Sequence, residues 1–222
     1  MQQEVVCFWA EPTDRCHLWL RRYVSSGDSK SKCPLPFGYH NAKAPFGEQP
    51  VRLSEPHANG QRYLNGYDDL MPASDDPRWP QKCDCGYVFE PAVMDWCPSP
   101  DCQAETKRHK ILVRGDQQQV FFDQLYRRVD SGQVGSLEEL GPGCMWDAWW
   151  MGGDCKTPDG KQLNVILPNG DHWWIDGPAK GGGHWTRTGT PPKVTARPSI
   201  WASQGTPRDY HGFLTDGVLR RC

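Results

Sequence analysis

Four cysteines within twenty residues, Cys83, Cys85, Cys97 and Cys102, constrain this chain more than any other feature. Their spacing is C-x-C, then eleven residues, then C-x4-C. Four thiolates supply the tetrahedral shell that suits zinc, and a shell closed by protein ligands leaves no position for a substrate. Gly86 lets the backbone turn tightly after the second cysteine, and Pro98 stiffens the turn after the third. The spacer between the pairs is long enough for a short ribbon. The expectation is a structural zinc knuckle that staples a region too small to fold on its own core. Partial disulfide pairing and unliganded thiols are the other readings. In a reducing cytoplasm the ten cysteines are more readily thiols and metal ligands than disulfides.

Composition narrows the fold class. Gly and Pro together make 43 of the 222 residues, roughly a fifth against about 12% in average proteins. The excess points to turns and loops and away from a helical bundle. Eleven tryptophans argue against disorder, because each brings a large area to bury. A net charge of −2 and a pI near 6.4 provide no global basic field for nucleic acid or anionic lipid, although a local patch stays open. No apolar run is long enough to span a membrane. The N-terminus lacks a basic start followed by an apolar run, so no signal peptide is expected.

Along the chain, Cys16–Val24 alternates as a strand does, and the Pro/Gly-rich stretch to about Pro80 reads as ordered loops. Asp116–Asp130 reads as an amphipathic helix. Phe121, Phe122, Leu125, Tyr126 and Val129 share an arc of about 140° at helical period, with Asp116 as cap and Gly132 as stop. From Gly141 the pattern turns to strands. Asn169-Gly170 predicts a two-residue hairpin with Val165 opposite Trp174 and Leu167 opposite His172, covered on both faces. Asp216-Gly217 predicts a second, with Leu214 against Leu219. Gly177–Gly183 reads as a loop, without the context of a phosphate-binding turn. The Thr/Pro-rich stretch Thr186–Ile200 is expected to hold an edge strand.

Several further groups carry potential chemistry. Cys7, Cys16, His17 and Cys33 would make a widely spaced second metal site, or simply small buried residues. Asp171, His172, Asp176, His184, Asp209 and His211 would serve a metal-dependent hydrolase, or be turn aspartates and strand histidines. Lys107, Arg108, His109, Lys110 and Arg114, with Arg127 and Arg128, would contact phosphates, or form a solvated face. The pairs Trp149-Trp150 and Trp173-Trp174 supply either core or a docking surface.

The segments GPGCMWDAWW (141–150), TPDGKQLNVILPNGDHWWIDGP (157–178), HWTRTGTPP (184–192), RPSI (197–200) and YHGFLTDGVL (210–219) resemble a family of proteins encoded by tailed bacteriophages. CDCGYVF at 83–89 is similar to the cysteine knuckle that such proteins carry upstream. The resemblance covers about the last 140 residues and implies provenance: synthesis in the host bacterial cytoplasm, then an accessory role there or packaging in the virion. It brings no catalytic residue. Relatives carry extra cysteines in the region matching Pro178–Ser203. This chain has none there, so no second metal site follows for that half.

The expected fold is α+β: strand-rich, with short antiparallel hairpins, one amphipathic helix and a zinc knuckle. The expected organisation is a loop-rich region over 1–80, knuckle plus helix over 81–135, and a β-rich domain over 136–222. The expected function is a zinc-stabilised, non-enzymatic phage structural or interaction protein, with capsid or other virion proteins as partners and no membrane. An early protein binding nucleic acid or a host factor, and a metal-dependent hydrolase, are the alternatives.

Overall fold

The structure, a computed structural model, describes residues 4–24, 32–34, 38–55, 64–91, 93–96, 110–114, 116–151, 157, 159–178 and 184–222. Strands dominate: β1 (Glu4–Val6), β2 (Phe8–Tyr23), β3 (Asn41–Pro50), β4 (Val93–Trp96), β5 (Lys110–Arg114), β6 (Gln117–Arg128) and β7 (Val134–Gly135) precede the one α-helix among the described residues, α1 (Leu137–Leu140). β8 (Cys144–Asp147), β9 (Leu163–Ile166), β10 (His172–Trp174), β11 (Thr186–Thr190), β12 (Lys193–Ala202), β13 (Tyr210–Thr215) and β14 (Val218–Arg221) follow. No helix among the described residues is long and apolar enough to cross a membrane.

The chain divides into two compact units, Met1–Asp14 with Gln124–Cys222, and Arg15–Asp123. The expected boundaries at 80/81 and 135/136 do not coincide with this division, because β2 and β6 each contribute residues to both units.

In the first unit a five-stranded antiparallel sheet runs β1-β14-β13-β12-β11, and β8, β9 and β10 lie side by side in another. Alternation explains how the core forms. Val194, Ala196 and Ile200 of β12, Leu214 of β13 and Leu219 of β14 point inward, where they meet Leu163, Val165, Trp173 and Ile175. All four residues of β9 are buried, as a strand covered on both faces must be. Ile166 packs into a second cluster with Phe8, Tyr126 and Trp146. Ser136 caps α1 by accepting from the Glu139 amide, and the Glu139 carboxylate accepts in return from the Ser136 amide.

The Asp216-Gly217 hairpin forms as expected, with Leu214 opposite Leu219. Both turn residues have positive φ, 48° and 73°, as a type I′ turn requires. A β-carbon on Gly217 would lie 2.6 Å from the Pro192 carbonyl oxygen. Gly217→Ala is therefore expected to cost about 1–3 kcal/mol, read as a lower urea midpoint at constant slope; an unshifted midpoint would contradict this account of the turn.

Three expectations are corrected. The predicted helix over Asp116–Asp130 is the strand β6 instead. Val120, Phe122 and Tyr126 also fit a period of two, and aromatic and β-branched side chains suit a pleated surface. Val120 and Phe122 pack with Leu18, Tyr67 and Trp79, while Tyr126 packs with Phe8. Asp116 caps no helix; it is buried and accepts from the Glu90 amide at 2.7 Å. The first hairpin is shifted by one residue, with Trp173 opposite Val165 and His172 opposite Ile166. Its loop spans three residues, Pro168-Asn169-Gly170, closed by the Leu167 amide on the Asp171 carbonyl at 2.8 Å. Only Gly170 takes positive φ there, 82°, and Pro168, with φ fixed near −65°, opens the turn. The slip exchanges faces, so Trp173 is buried while Trp174 is half-buried. Finally, the stretch before Pro80 is not all loop: β3 pairs with β2 from Arg15↔Pro50 to Tyr23↔Asn41. Thr186–Ile200 does hold an edge strand, β11, paired with β12.

Candidate metal centre

Among its described residues the second unit holds one compact set of metal-type donors. Val24, just past β2, donates its amide to the His40 carbonyl at 3.0 Å, which draws the chain back to the start of β3. Cys33 lies on the connection between these strands, its amide bonded to the Gly38 carbonyl at 3.2 Å. The second contribution is the turn from Lys82 to Val88, closed by a bridge between those two residues. Within it the Cys83 amide reaches the Tyr87 carbonyl at 2.9 Å and the Gly86 amide reaches the Cys83 carbonyl at 2.8 Å. Gly86 has φ 95°, so the glycine expected after the second cysteine is where the backbone needs it.

These two pieces place Cys33, His40, Cys83 and Cys85 together, with one donor atom from each lying within 4.8 Å of all the others. The Cys33 and Cys83 sulfurs are 3.9 Å apart, and His40 Nδ1 is 3.1 Å from the Cys85 sulfur. Two thiolates on one zinc, each about 2.3 Å from it, stand about 3.8 Å apart in a tetrahedron. The sulfur pair therefore already sits at a ligand spacing and far beyond a disulfide bond length. Cys33, His40 and Cys83 are buried, while Cys85 is partly exposed. Three sulfurs and one imidazole form a donor set that fits zinc.

Electrostatics separate Cys83 from the buried thiols of the first unit. Burial by itself pushes the Cys83 thiol up. Hydrogen bonds from the Cys85 and Asn41 backbone and from the His40 and Cys85 side chains outweigh it and hold the thiol at about 7. Cys7 and Cys144, buried among apolar side chains, are pushed the other way, to about 12, and stay neutral thiols. The surroundings of the cluster fix its orientation. Tyr87 stacks on the His40 ring at 4.1 Å and its hydroxyl donates to Asp116 Oδ2 at 3.3 Å. Val24 and Phe89 complete the apolar wall around Cys33 and Cys83.

Of the expected ligands, Cys83 and Cys85 belong to this group; Cys97 and Cys102 lie outside the described residues. The alternative set of Cys7, Cys16, His17 and Cys33 does not assemble. Cys7 is in the core of the first unit, the Cys16 thiol contacts the Tyr67 hydroxyl at 3.0 Å, and His17 meets Glu48 at 3.1 Å. Cys16 and His17 are neighbours in a strand and so face opposite ways. His40 was missed altogether, and local spacing carries no signal for it, since 45 residues separate it from Cys85.

The histidines and aspartates of the first unit do not converge either. Among the described residues the cysteine–histidine group is the only one of its kind. His172 packs edge-on to Trp146, and His211 contacts the Ser199 hydroxyl at 3.2 Å and stacks on Trp201. Asp176 pairs with Arg187, Asp171 with Arg208, and Asp209 accepts from the Trp201 indole. In the basic run, 107–109 lie outside the described residues and Lys110–Arg114 forms β5. Arg128 pairs with Asp130 over the Phe8 ring. The glycines 181–183 also lie outside the described residues. Trp149 and Trp150 pack edge-to-face in a single turn.

The fold and the donor set define a strand-rich protein with, among the described residues, one compact cysteine–histidine group that could hold a metal ion. Comparison with protein-family models, with curated proteins and with solved structures finds no match to this chain.

Proposed function

We propose that this protein is a zinc-stapled, non-enzymatic interaction protein of a tailed bacteriophage, and that it works as a virion accessory component. The observation that carries the zinc assignment is the four-donor group of Cys33, His40, Cys83 and Cys85, at ligand spacing and with the Cys83 thiol held near 7. Four protein ligands close a tetrahedral site, which makes the metal a staple and not a Lewis acid for substrate. It ties the connection between β2 and β3 to the Lys82–Val88 turn, two pieces that also share the Tyr87–His40 stack and a small apolar cluster. Phage provenance is supported by the motifs between Gly141 and Leu219. A strand-rich protein with exposed aromatic side chains suits binding to other proteins.

Elemental analysis of the purified protein and its variants tests the centre. One zinc per chain is expected, lost in Cys33→Ser and His40→Ala and kept in Cys97→Ser and Cys102→Ser. Zinc retained in the first pair and lost in the second would move the centre to the 83/85/97/102 quartet; no zinc in the parent protein would remove it. Mass spectrometry of purified phage particles tests the virion role, which fails if the protein is consistently absent from them.

A further inference from the structure

We propose that the outer face of the five-stranded sheet β1-β14-β13-β12-β11 binds single-stranded nucleic acid. This is a different surface from the metal centre and from the basic run at 107–114, and it depends on neither zinc nor phage provenance. The inner side chains of β12, β13 and β14 alternate into the core, so Arg197, Ser199, Trp201, His211, Phe213 and Arg220 fall on the opposite face.

Large aromatic rings stand in solvent there. Trp201 is 55% exposed and Phe213 45% exposed. Trp201 lies across from His211 in the register, and the two rings stack at 5.1 Å and 25°. The indole is fixed by its hydrogen bond to Asp209 at 2.9 Å, and the imidazole by the Ser199 hydroxyl at 3.2 Å. The platform is thus held in place before any ligand arrives, which lowers the entropy lost on binding. Phe213 follows His211 by two residues on the same face, a second stacking station about 7 Å along the strand.

Charge decides the class of ligand. The outward cations Lys193 and Arg197 are exposed, and no carboxylate pairs with either among the described residues. The acidic groups close to the platform are engaged: Glu4 by Arg220 at 2.7 Å, and Asp209 by the Trp201 indole and the Gly205 amide. Asp216 sits in the turn at the end of β13. An open cleft of about 570 Å³, lined by His184, Thr186, Arg197, Pro198, Ser199 and Phe213, continues from the platform. Arg197 and His184 can receive a phosphate in it while Phe213 receives a base. Exposed rings alone would suit a polysaccharide as well. Rings flanked by unpaired cations suit a polyanion with planar bases, for which stacking and phosphate contacts act together.

Fluorescence anisotropy with labelled dT20 and U20, titrated with the full-length, zinc-loaded protein over a series of salt concentrations, tests this. Saturable binding is expected, and comparing the two oligonucleotides tells DNA from RNA. Trp201→Ala and Phe213→Ala should each weaken binding at least about fivefold. The double variant Lys193→Glu/Arg197→Glu should flatten the log–log salt dependence by about 1.4, the value for two phosphates on a single strand. Photocrosslinking from thiouridine should map to Trp201, His211 or Phe213, a readout that needs no substitution. Four results would overturn the proposal: no saturable binding at low salt, affinity indifferent to Trp201 and Phe213, affinity lost only on charge reversal of Lys107 to Lys110, or Trp201-dependent binding of a neutral glucan with none of oligonucleotides. Loss of oligonucleotide binding with zinc retained would sink this inference alone. Loss of zinc with binding intact would sink only the metal reading.

Discussion

Chelation of the proposed zinc is expected to unfold the Lys82–Phe89 turn and the chain around His40. Zinc held by four protein ligands contributes on the order of 10 kcal/mol of apparent folding free energy in small domains, comparable with the whole stability of a typical domain. The pieces that the centre joins are otherwise held by the Tyr87–His40 stack, a few hydrogen bonds and a small apolar cluster. The cluster of Val24, Cys33, Cys83 and Phe89 is small, and two of its four buried members are ligands. Hydrogen exchange measured by mass spectrometry with and without a strong chelator reads the effect by segment. Protection is expected to vanish over Lys82–Phe89 and around His40, and to persist over Leu163–Ile166 in the other unit. Unchanged protection over Lys82–Phe89 in a sample shown to have lost its metal would contradict the staple.

The second large effect is expected at Arg187. Its side chain is 3% exposed; Nε donates to Asp176 Oδ1 at 2.6 Å and the second arm reaches Asp159 and the Lys161 carbonyl. Asp176, 6% exposed, also accepts from the Leu163 amide at 2.8 Å. The pair therefore ties β11 to the start of β9. Truncating one partner of a buried ion pair leaves the other charge unpaired, which costs about 3–5 kcal/mol. Arg187→Ala should destabilise the first unit by that amount, read as a lower thermal midpoint, with Asp159→Asn, at a partly exposed position, doing much less. Replacing both buried partners, as in Arg187→Met with Asp176→Leu, should recover part of the loss; equal losses in the single and double variants would refute this account.

The same network sets an acid limit. Burial by itself would push the Asp159 carboxyl up, and the Arg187 hydrogen bonds outweigh it and hold the carboxyl below its ordinary value. A carboxyl whose folded value is depressed stabilises the fold fully above the unfolded value, about 3.9. That contribution fades as pH falls towards the folded value. Any acid-induced loss from this group thus begins only below about pH 5 and is absent in Asp159→Asn.

Sequence by itself determined the features written in neighbouring residues. The Asp216-Gly217 turn and its register follow from two positions that tolerate positive φ, flanked by β-prone runs. The Cys83-Asp84-Cys85-Gly86 turn follows from the need for a glycine after the second thiol. Abundant Gly and Pro pointed to turns and loops and away from a helical bundle. Pro168 also held the correct hairpin loop in plain view, since its fixed φ favours a turn beginning one residue before Asn169-Gly170.

Tertiary structure decided the rest, wherever one local pattern satisfied two outcomes or distant residues had to meet. The apolar residues of Gln117–Arg128 fit both a helical and a strand period, and the neighbouring strand β2 selected the strand. Cys33 and His40 are 50 and 45 residues from the cysteines they meet. Only the return of the chain from β2 into β3, pairing Tyr23 with Asn41, brings them to the Lys82–Val88 turn. A donor set is a property of points in space, and spacing along the chain reports it only when all four donors share one short segment.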